Sequence, residues 1–230
     1  MLTETAFESR WSGRESGQAT RKGFPAACND SMRSIELIGA SMSFRRNAEI
    51  YGEREPADYL YKVVSGAART CKVRLDGRRQ IGAFYLPGDI FGLETGDEHT
   101  LSAEAVIPSK IVVIKRATVI SLAGRDIDAA HQLWTLTTRE LRRTQNHLLF
   151  LNKTAPERVA GFLLEMAERA EFEGEIELPM PRQDIADYLG LSIETVSRML
   201  RQFENASAIA LPAPRRIVLR KRAVLKGLIA

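Results

Sequence analysis

RQDIADYLGLSIETVSRMLR, residues 182–201, has the register of two short helices joined by a tight turn. Ile185 and Leu189 are four apart and share one helical face, beside an Ala186 small enough to let a second helix come close. Gly190 stands where the first helix must end in a left-handed residue, a conformation glycine adopts without a Cβ penalty. Leu191 then plugs the corner, Ser192 is placed to cap the next helix, and Val196, Met199 and Leu200 give that helix an apolar face. Its opposite face carries Glu194, Ser197, Arg198 and Arg201. Arginine suits the O6/N7 edge of guanine and glutamate can accept from cytosine N4, so a helix bearing this face can read base edges in a major groove. The plainer reading of the same residues is a helical hairpin with a solvated Glu194–Arg198 pair. The coincidence of the alanine, glycine and apolar positions with a motif of fixed register favours the helix-turn-helix.

Charge is distributed to match. The formal net charge of the 230-residue chain is only +4. From residue 182 onward, however, nine Lys/Arg (182, 198, 201, 215, 216, 220, 221, 222, 226) face four Asp/Glu (184, 187, 194, 204). Residues 153–181 hold three basic (153, 158, 169) against seven acidic ones (157, 165, 168, 171, 173, 175, 177). The basic surface therefore begins where the helix-turn-helix begins, as a phosphate footprint would. There is no apolar run of membrane-spanning length and no apolar signal core at the N-terminus, so the chain is expected in the cytoplasm and away from membranes.

Four segments follow from texture. Residues 1–31, rich in Ser, Gly, Arg and Thr, read as a mobile extension. Residues 32–125 break into short runs, Tyr59 to Ser65, Ala67 to Leu75, Arg79 to Tyr85, Leu101 to Ala105 and Lys110 to Lys115. Turns at Ser65-Gly66, Asp76-Gly77 and Pro87-Gly88-Asp89 punctuate them, which suggests an antiparallel β-roll or jelly roll. Residues 126–152 hold one long helix from Asp126 to about Leu151, with Ala130, Trp134, Thr137, Leu141, Thr144, Leu148 and Leu151 at heptad-like spacing. Such a seam suits pairing with a second copy, or burial as an ordinary core helix. Leu133, Leu136 and Leu149 lie beside it.

Residues 153–230 make the last segment. Ala155-Pro156-Glu157 opens a helix whose Val159, Phe162, Leu163, Met166 and Ala170 form a buried stripe. Glu175 to Leu178 is a short strand, and Ile209 to Leu211 pairs with Arg216 to Leu219 around Pro212–Arg215. The expected class is thus α+β: an antiparallel β-roll, a long dimerisation helix, and a C-terminal winged helix-turn-helix with Arg215 and Arg216 near the wing tip.

In this order the segments resemble the CRP/FNR superfamily of bacterial transcription regulators over about residues 32–228. LPGDIFGLE, residues 86–94, resembles the family's cyclic-nucleotide-binding-like roll, and DIADYLGLSIETVSR, residues 184–198, resembles its FNR and FixK-like branch. The resemblance implies a homodimer on double-stranded DNA, with half-sites of an inverted TTGA/TCAA-type repeat roughly 34 Å apart. It implies Arg198 on guanine, Glu194 on the cytosine side and Ser197 near thymine. Arg182, Arg201, Arg215 and Arg216 would face the DNA backbone. Pro181 departs from the Ser or Thr that relatives place at the helix cap, and Asp184 in the first turn is expected to compensate through the helix dipole. RNA polymerase is the further partner implied, with Asp76, Gly77 and Arg78 as the candidate surface or simply a polar hairpin tip.

What the roll senses is read from absences. A four-thiolate iron–sulfur cluster cannot be built from Cys28 and Cys71 alone. Cyclic-nucleotide binding in the family uses an Arg-Ser pair, where this chain has Leu101-Ser102, with Asp89 in place of glutamate. Without that arginine a desolvated phosphate lacks its counter-charge, so cAMP is not expected. His99, His131 and His147 have no ligand-like spacing, and both cysteines are expected to be inert. The resemblance implies a FixK-like regulator, chiefly an activator, of low-oxygen respiration, nitrogen-fixation or denitrification genes, and the absences add the expectation that it works without a bound cofactor. A haem- or ligand-gated sensor of the same superfamily is the alternative. No nucleophile, base and orienting group are grouped, so enzymatic activity is not expected.

Overall fold

The computed structural model describes residues 39–94, 96–170 and 175–229. The extension expected over residues 1–31, and Cys28 with it, lies outside them. Eight strands come first: β1 (Ala40–Phe44), β2 (Glu49–Tyr51), β3 (Tyr59–Ser65), β4 (Ala68–Val73), β5 (Arg79–Tyr85), β6 (Ile90–Phe91), β7 (Ser102–Ala105) and β8 (Ser109–Lys115). They form two antiparallel sheets, ordered β1-β8-β3-β6 and β2-β7-β4-β5.

Period-two alternation assigns each face. In β8, Ile111 and Val113 point into the roll with Tyr51, Tyr61, Val63, Tyr85 and Phe91. Val112 and Ile114 point the other way, onto a second cluster with Leu60, Ile90 and Val119. The first sheet is therefore buried on both faces, which is why β8 reads as a continuous apolar run. Strands β1, β2 and β6 are not apparent from the sequence because ASMSF, EIY and IF are too short or too polar to show a period. Helix α1 (Arg116–Ala123) is likewise unforeseen; it buries Val119 alone and has no side-chain cap, so packing holds it in place.

Helix α2 (Ile127–Leu151) follows, started by the Asp126 carboxylate accepting from Asp128 N at 2.9 Å. Leu133 and Leu136 pack on the outer face of the first sheet. Ile127, Trp134, Leu141 and Leu148, seven residues apart, are 56–71% exposed. Among the described residues no helix is long and apolar enough to cross a membrane.

Helix α3 (Ala155–Arg169) opens with a capping box between Thr154 and Glu157 and buries the expected stripe. Then come β9 (Glu175–Glu177), α4 (Arg182–Leu189), α5 (Ile193–Asn205), β10 (Ile209–Ala213), β11 (Arg216–Leu219) and α6 (Arg222–Ile229). The three strands form a sheet ordered β10-β11-β9. The core of this winged head runs without a break onto the outer face of the second sheet. Cys71, Ile81, Phe84 and Leu86 belong to the same cluster as Phe162, Leu163, Tyr188 and Leu189.

Asp89 ties three segments at that junction. Its carboxylate accepts from Leu86 N at 2.7 Å, pairs with Arg143 of α2 at 3.0 Å and with Arg169 of α3. Burial opposes its charge, but Arg169, Arg143 and the Leu86 N–H outweigh this and hold the carboxyl below its ordinary value. A depressed folded pKa gives stability that is present above about pH 4 and is lost as pH falls through the folded value. Asp89→Asn should cost about 1.5–3 kcal/mol at neutral pH. In pH-dependent thermal melts its midpoint should fall less on acidification than that of the wild type; parallel curves would remove Asp89 from the acid response.

Candidate nucleic-acid interface

Helix α4 ends at Gly190, whose φ of 63° and ψ of 38° are the left-handed values the sequence demanded. Leu191 N then donates back to Ala186 O at 3.0 Å. Ser192 accepts from Thr195 N at 3.2 Å and so starts α5. Val196, Met199, Leu200 and Phe203 turn inward against Ile185, Ala186 and Leu189. This local chemistry leaves one face of α5 outward.

That face brings together the residues singled out by sequence. Glu194, Ser197, Arg198 and Arg201 line a shallow open groove with Ile193, Gln202 and Asn205. Glu194, Arg198 and Arg201 are exposed and Ser197 is half-buried. Among the described residues no ion pair joins Glu194 to Arg198. Hydrogen bonds from its own backbone N–H and from the Ser192 hydroxyl hold the Glu194 carboxyl below its ordinary value. It is therefore an ionised acceptor at neutral pH, the form that an exocyclic amine such as cytosine N4 requires. Arg198 lies one turn further along the same face and presents a guanidinium suited to guanine.

The wing stands where expected but is more constrained than the sequence implies. Arg215 sits in the turn between β10 and β11; its backbone carbonyl accepts from Leu178 N at 2.8 Å and its Nη1 donates to Pro179 O at 3.1 Å. Arg216 is exposed and pairs with Glu175 at 2.5 Å across the wing sheet. Arg182 opens α4, half-exposed, behind an uncapping Pro181. Arg220 and Lys221, exposed between the wing and α6, extend the basic surface.

Asp184 lies in the first turn of α4, where the sequence reading put it, and has a further role. It is 2% exposed and its carboxylate is bound by Arg69 and Arg79 of the β-roll, so it serves a contact between segments rather than the dipole of α4 alone. Arg69, Arg79 and Asp187 had carried no signal in the sequence, because nothing local to them shows that residues over 100 positions apart meet. Asp76, Gly77 and Arg78 form the β4–β5 hairpin tip, where Asp76 accepts from Arg78 N at 3.1 Å and Gly77 has a φ of 77°.

Around the roll several polar groups are engaged by the protein, while Tyr51 Oη, His99 Nε2 and one Glu94 carboxylate oxygen are buried without a hydrogen-bond partner. Ser102 Oγ accepts from Glu53 N at 2.9 Å, and Glu104 pairs with Arg69 at 2.5 Å. His99 stacks on Tyr51 at 3.6 Å, and Tyr61 and Tyr85 stack on Phe91. His147 stacks on Tyr188 at 4.0 Å, with its pKa lowered by burial, and His131 is exposed. Among the described residues there is no group of three or more His, Cys, Asp or Glu able to hold a metal ion. Burial, with the nearby Glu104, pushes the Cys71 thiol up to about 11, which keeps it protonated and a poor nucleophile.

Comparison with known proteins matches the same two regions. Residues 157–228 fit the Crp-like helix-turn-helix domain and residues 41–126 the cyclic nucleotide-binding domain. The chain is 46% identical over 229 residues to the nitrogen fixation regulation protein FixK of Azorhizobium caulinodans, covering 96% of this chain and 89% of that protein. It is 37% identical over 187 residues to the protein of the same name from Rhizobium meliloti, covering 81% and 85%. The structure of FixK2 from Bradyrhizobium japonicum superposes with a TM-score of 0.81 at 50% identity, covering 84% of this chain and 98% of that one.

The turn before α5 sets the direction of the exposed face and offers a direct check. Gly190→Ala should cost about 1–2 kcal/mol, the penalty of a Cβ in the left-handed region, and lower the thermal midpoint. An unchanged midpoint would mean that the turn does not depend on that conformation.

Proposed function

This chain belongs to the CRP/FNR superfamily of transcription regulators, in its FixK-like branch, and carries a DNA-binding helix-turn-helix; on that footing we propose that it reads an inverted TTGA/TCAA-type repeat as a homodimer. The observation that carries the reading is the outward face of α5, with an ionised acceptor at Glu194 and a guanidinium at Arg198 one turn apart. Arg198 takes guanine, Glu194 accepts from the cytosine side and Ser197 lies near thymine. Arg182, Arg201 and Arg216 serve phosphates, and Arg216 exchanges Glu175 for a phosphate oxygen on binding.

Dimerisation is supported by Ile127, Trp134, Leu141 and Leu148. A heptad row of large apolar side chains, all more than half exposed, is costly in water and matches a coiled-coil seam. Regulation without a bound cofactor is supported by Leu101, which stands where the family's phosphate-binding arginine is expected, and by the stacked rings within the roll. Activation of nitrogen-fixation or low-oxygen genes in the cytoplasm, through contact of Asp76, Gly77 and Arg78 with RNA polymerase, completes the reading.

Purified protein without added ligand should footprint such a repeat. Arg198→Ala should lose about 1–3 kcal/mol at each half-site and relax discrimination at the guanine. Equal loss on specific and random DNA would reassign Arg198 to a phosphate contact. Leu141→Glu should sediment as a monomer and bind the repeat poorly; a variant that remained a dimer would move the seam elsewhere.

A further inference from the structure

An alternating row of charges runs from the β-roll into the helix-turn-helix. Glu104 of β7 pairs with Arg69 of β4, Arg69 with Asp184 of α4, Asp184 with Arg79 of β5, and Arg79 with Asp187 one turn further along α4. Arg79 engages Asp187 with two donors, Nε at 3.0 Å and Nη2 at 2.8 Å. Gln80 Nε2 adds a bond to the Asp187 backbone carbonyl at 2.9 Å. Arg69 and Asp184 are 5% and 2% exposed, so the centre of the row is desolvated, while Arg79 and Asp187 reach toward its edge.

This is a poor device for stability alone. Buried ion pairs recover little beyond their own desolvation, and an apolar patch of the same size would serve as well. Their distinguishing property is direction: a planar guanidinium bound at two donors accepts its carboxylate in few orientations. The apolar contact beneath it, Phe84 against Tyr188 at 5.2 Å, is by contrast tolerant of rotation. Helix α4 packs on α5 through Ile185, Ala186, Leu189, Val196 and Leu200, and no residue of the roll lines the groove that holds Glu194 and Arg198. Fixing α4 on the sheet therefore fixes the direction in which α5 is presented while leaving its reading face free.

We propose that the row Glu104–Arg69–Asp184–Arg79–Asp187 positions the DNA-reading helix, setting its angle to the long helix so that two heads meet both half-sites of an inverted repeat together. Arg79, Asp184 and Asp187 are thus positioning residues that touch no DNA. The proposal rests on the dimeric reading above. Loosening each head so that it holds the productive pose about a third of the time would weaken two-headed binding about tenfold, because the loss applies to both heads.

The test uses full-length Arg79→Ala and Asp187→Ala, the half-buried end of the row, with Arg79→Lys as the conservative variant. Each is measured on an inverted repeat, on a single half-site, and on a repeat whose half-sites are one base pair further apart. Each alanine variant should lose about tenfold on the repeat and less than twofold on the half-site. Discrimination against the altered spacing should fall several-fold, and Arg79→Lys should lie between wild type and Arg79→Ala. Equal losses on repeat and half-site, or no loss on either, would overturn the positioning role and leave the dimeric reading standing. A wild type that held the repeat no more tightly than the half-site would overturn both.

Discussion

Phe84 lies edge-on to Phe162 at 6.3 Å and against Tyr188 at 5.2 Å, and through these rings the β-roll and the winged head share one core. Large aromatic surfaces at such a contact contribute most of the favourable free energy of docking. They contribute little to its geometry, since hydrophobic burial is non-directional. The polar groups ringing the contact supply the missing direction. Asp89 holds the start of β6 to both α2 and α3, while Asp184 and Asp187 hold α4 to β4 and β5.

Helix α2 shows how one amphipathic element can serve several surfaces at once. Leu133 and Leu136 cover the first sheet, Glu140 accepts from Tyr85 at 3.0 Å, His147 stacks on Tyr188, and Phe150 fills the space left by the missing side chain of Gly161. With those positions committed, the helix can rotate very little about its axis. The remaining row, Ile127, Trp134, Leu141 and Leu148, is thereby aimed outward. The same packing leaves that apolar row exposed.

Around the roll, polar side chains are taken up in contacts within the protein. Asp89 is a node for two arginines, the Ser102 hydroxyl receives a backbone N–H, and Arg69 is turned toward Glu104 and Asp184. A group already paired and desolvated is not free for an incoming anion without breaking what it holds.

Local rules were enough for much of this molecule. Gly190, Ser192 and the spacing of Ile185, Leu189, Val196 and Leu200 determined the helix-turn-helix, because a left-handed turn, a cap and a 3.6-residue period are properties of adjacent residues. The strands with clear runs, the long helix and the exposed reading face were legible for the same reason. Strands β1, β2 and β6 and helix α1 were not, since their partners rather than their composition hold them in place. Only the tertiary structure decided that Asp184 would be buried between Arg69 and Arg79, and that the wing arginines would be tied to Pro179 and Glu175. Pairing between charges over 100 residues apart leaves no periodic trace in a single chain; it exists only once the sheet and the head have been brought together by the core beneath them.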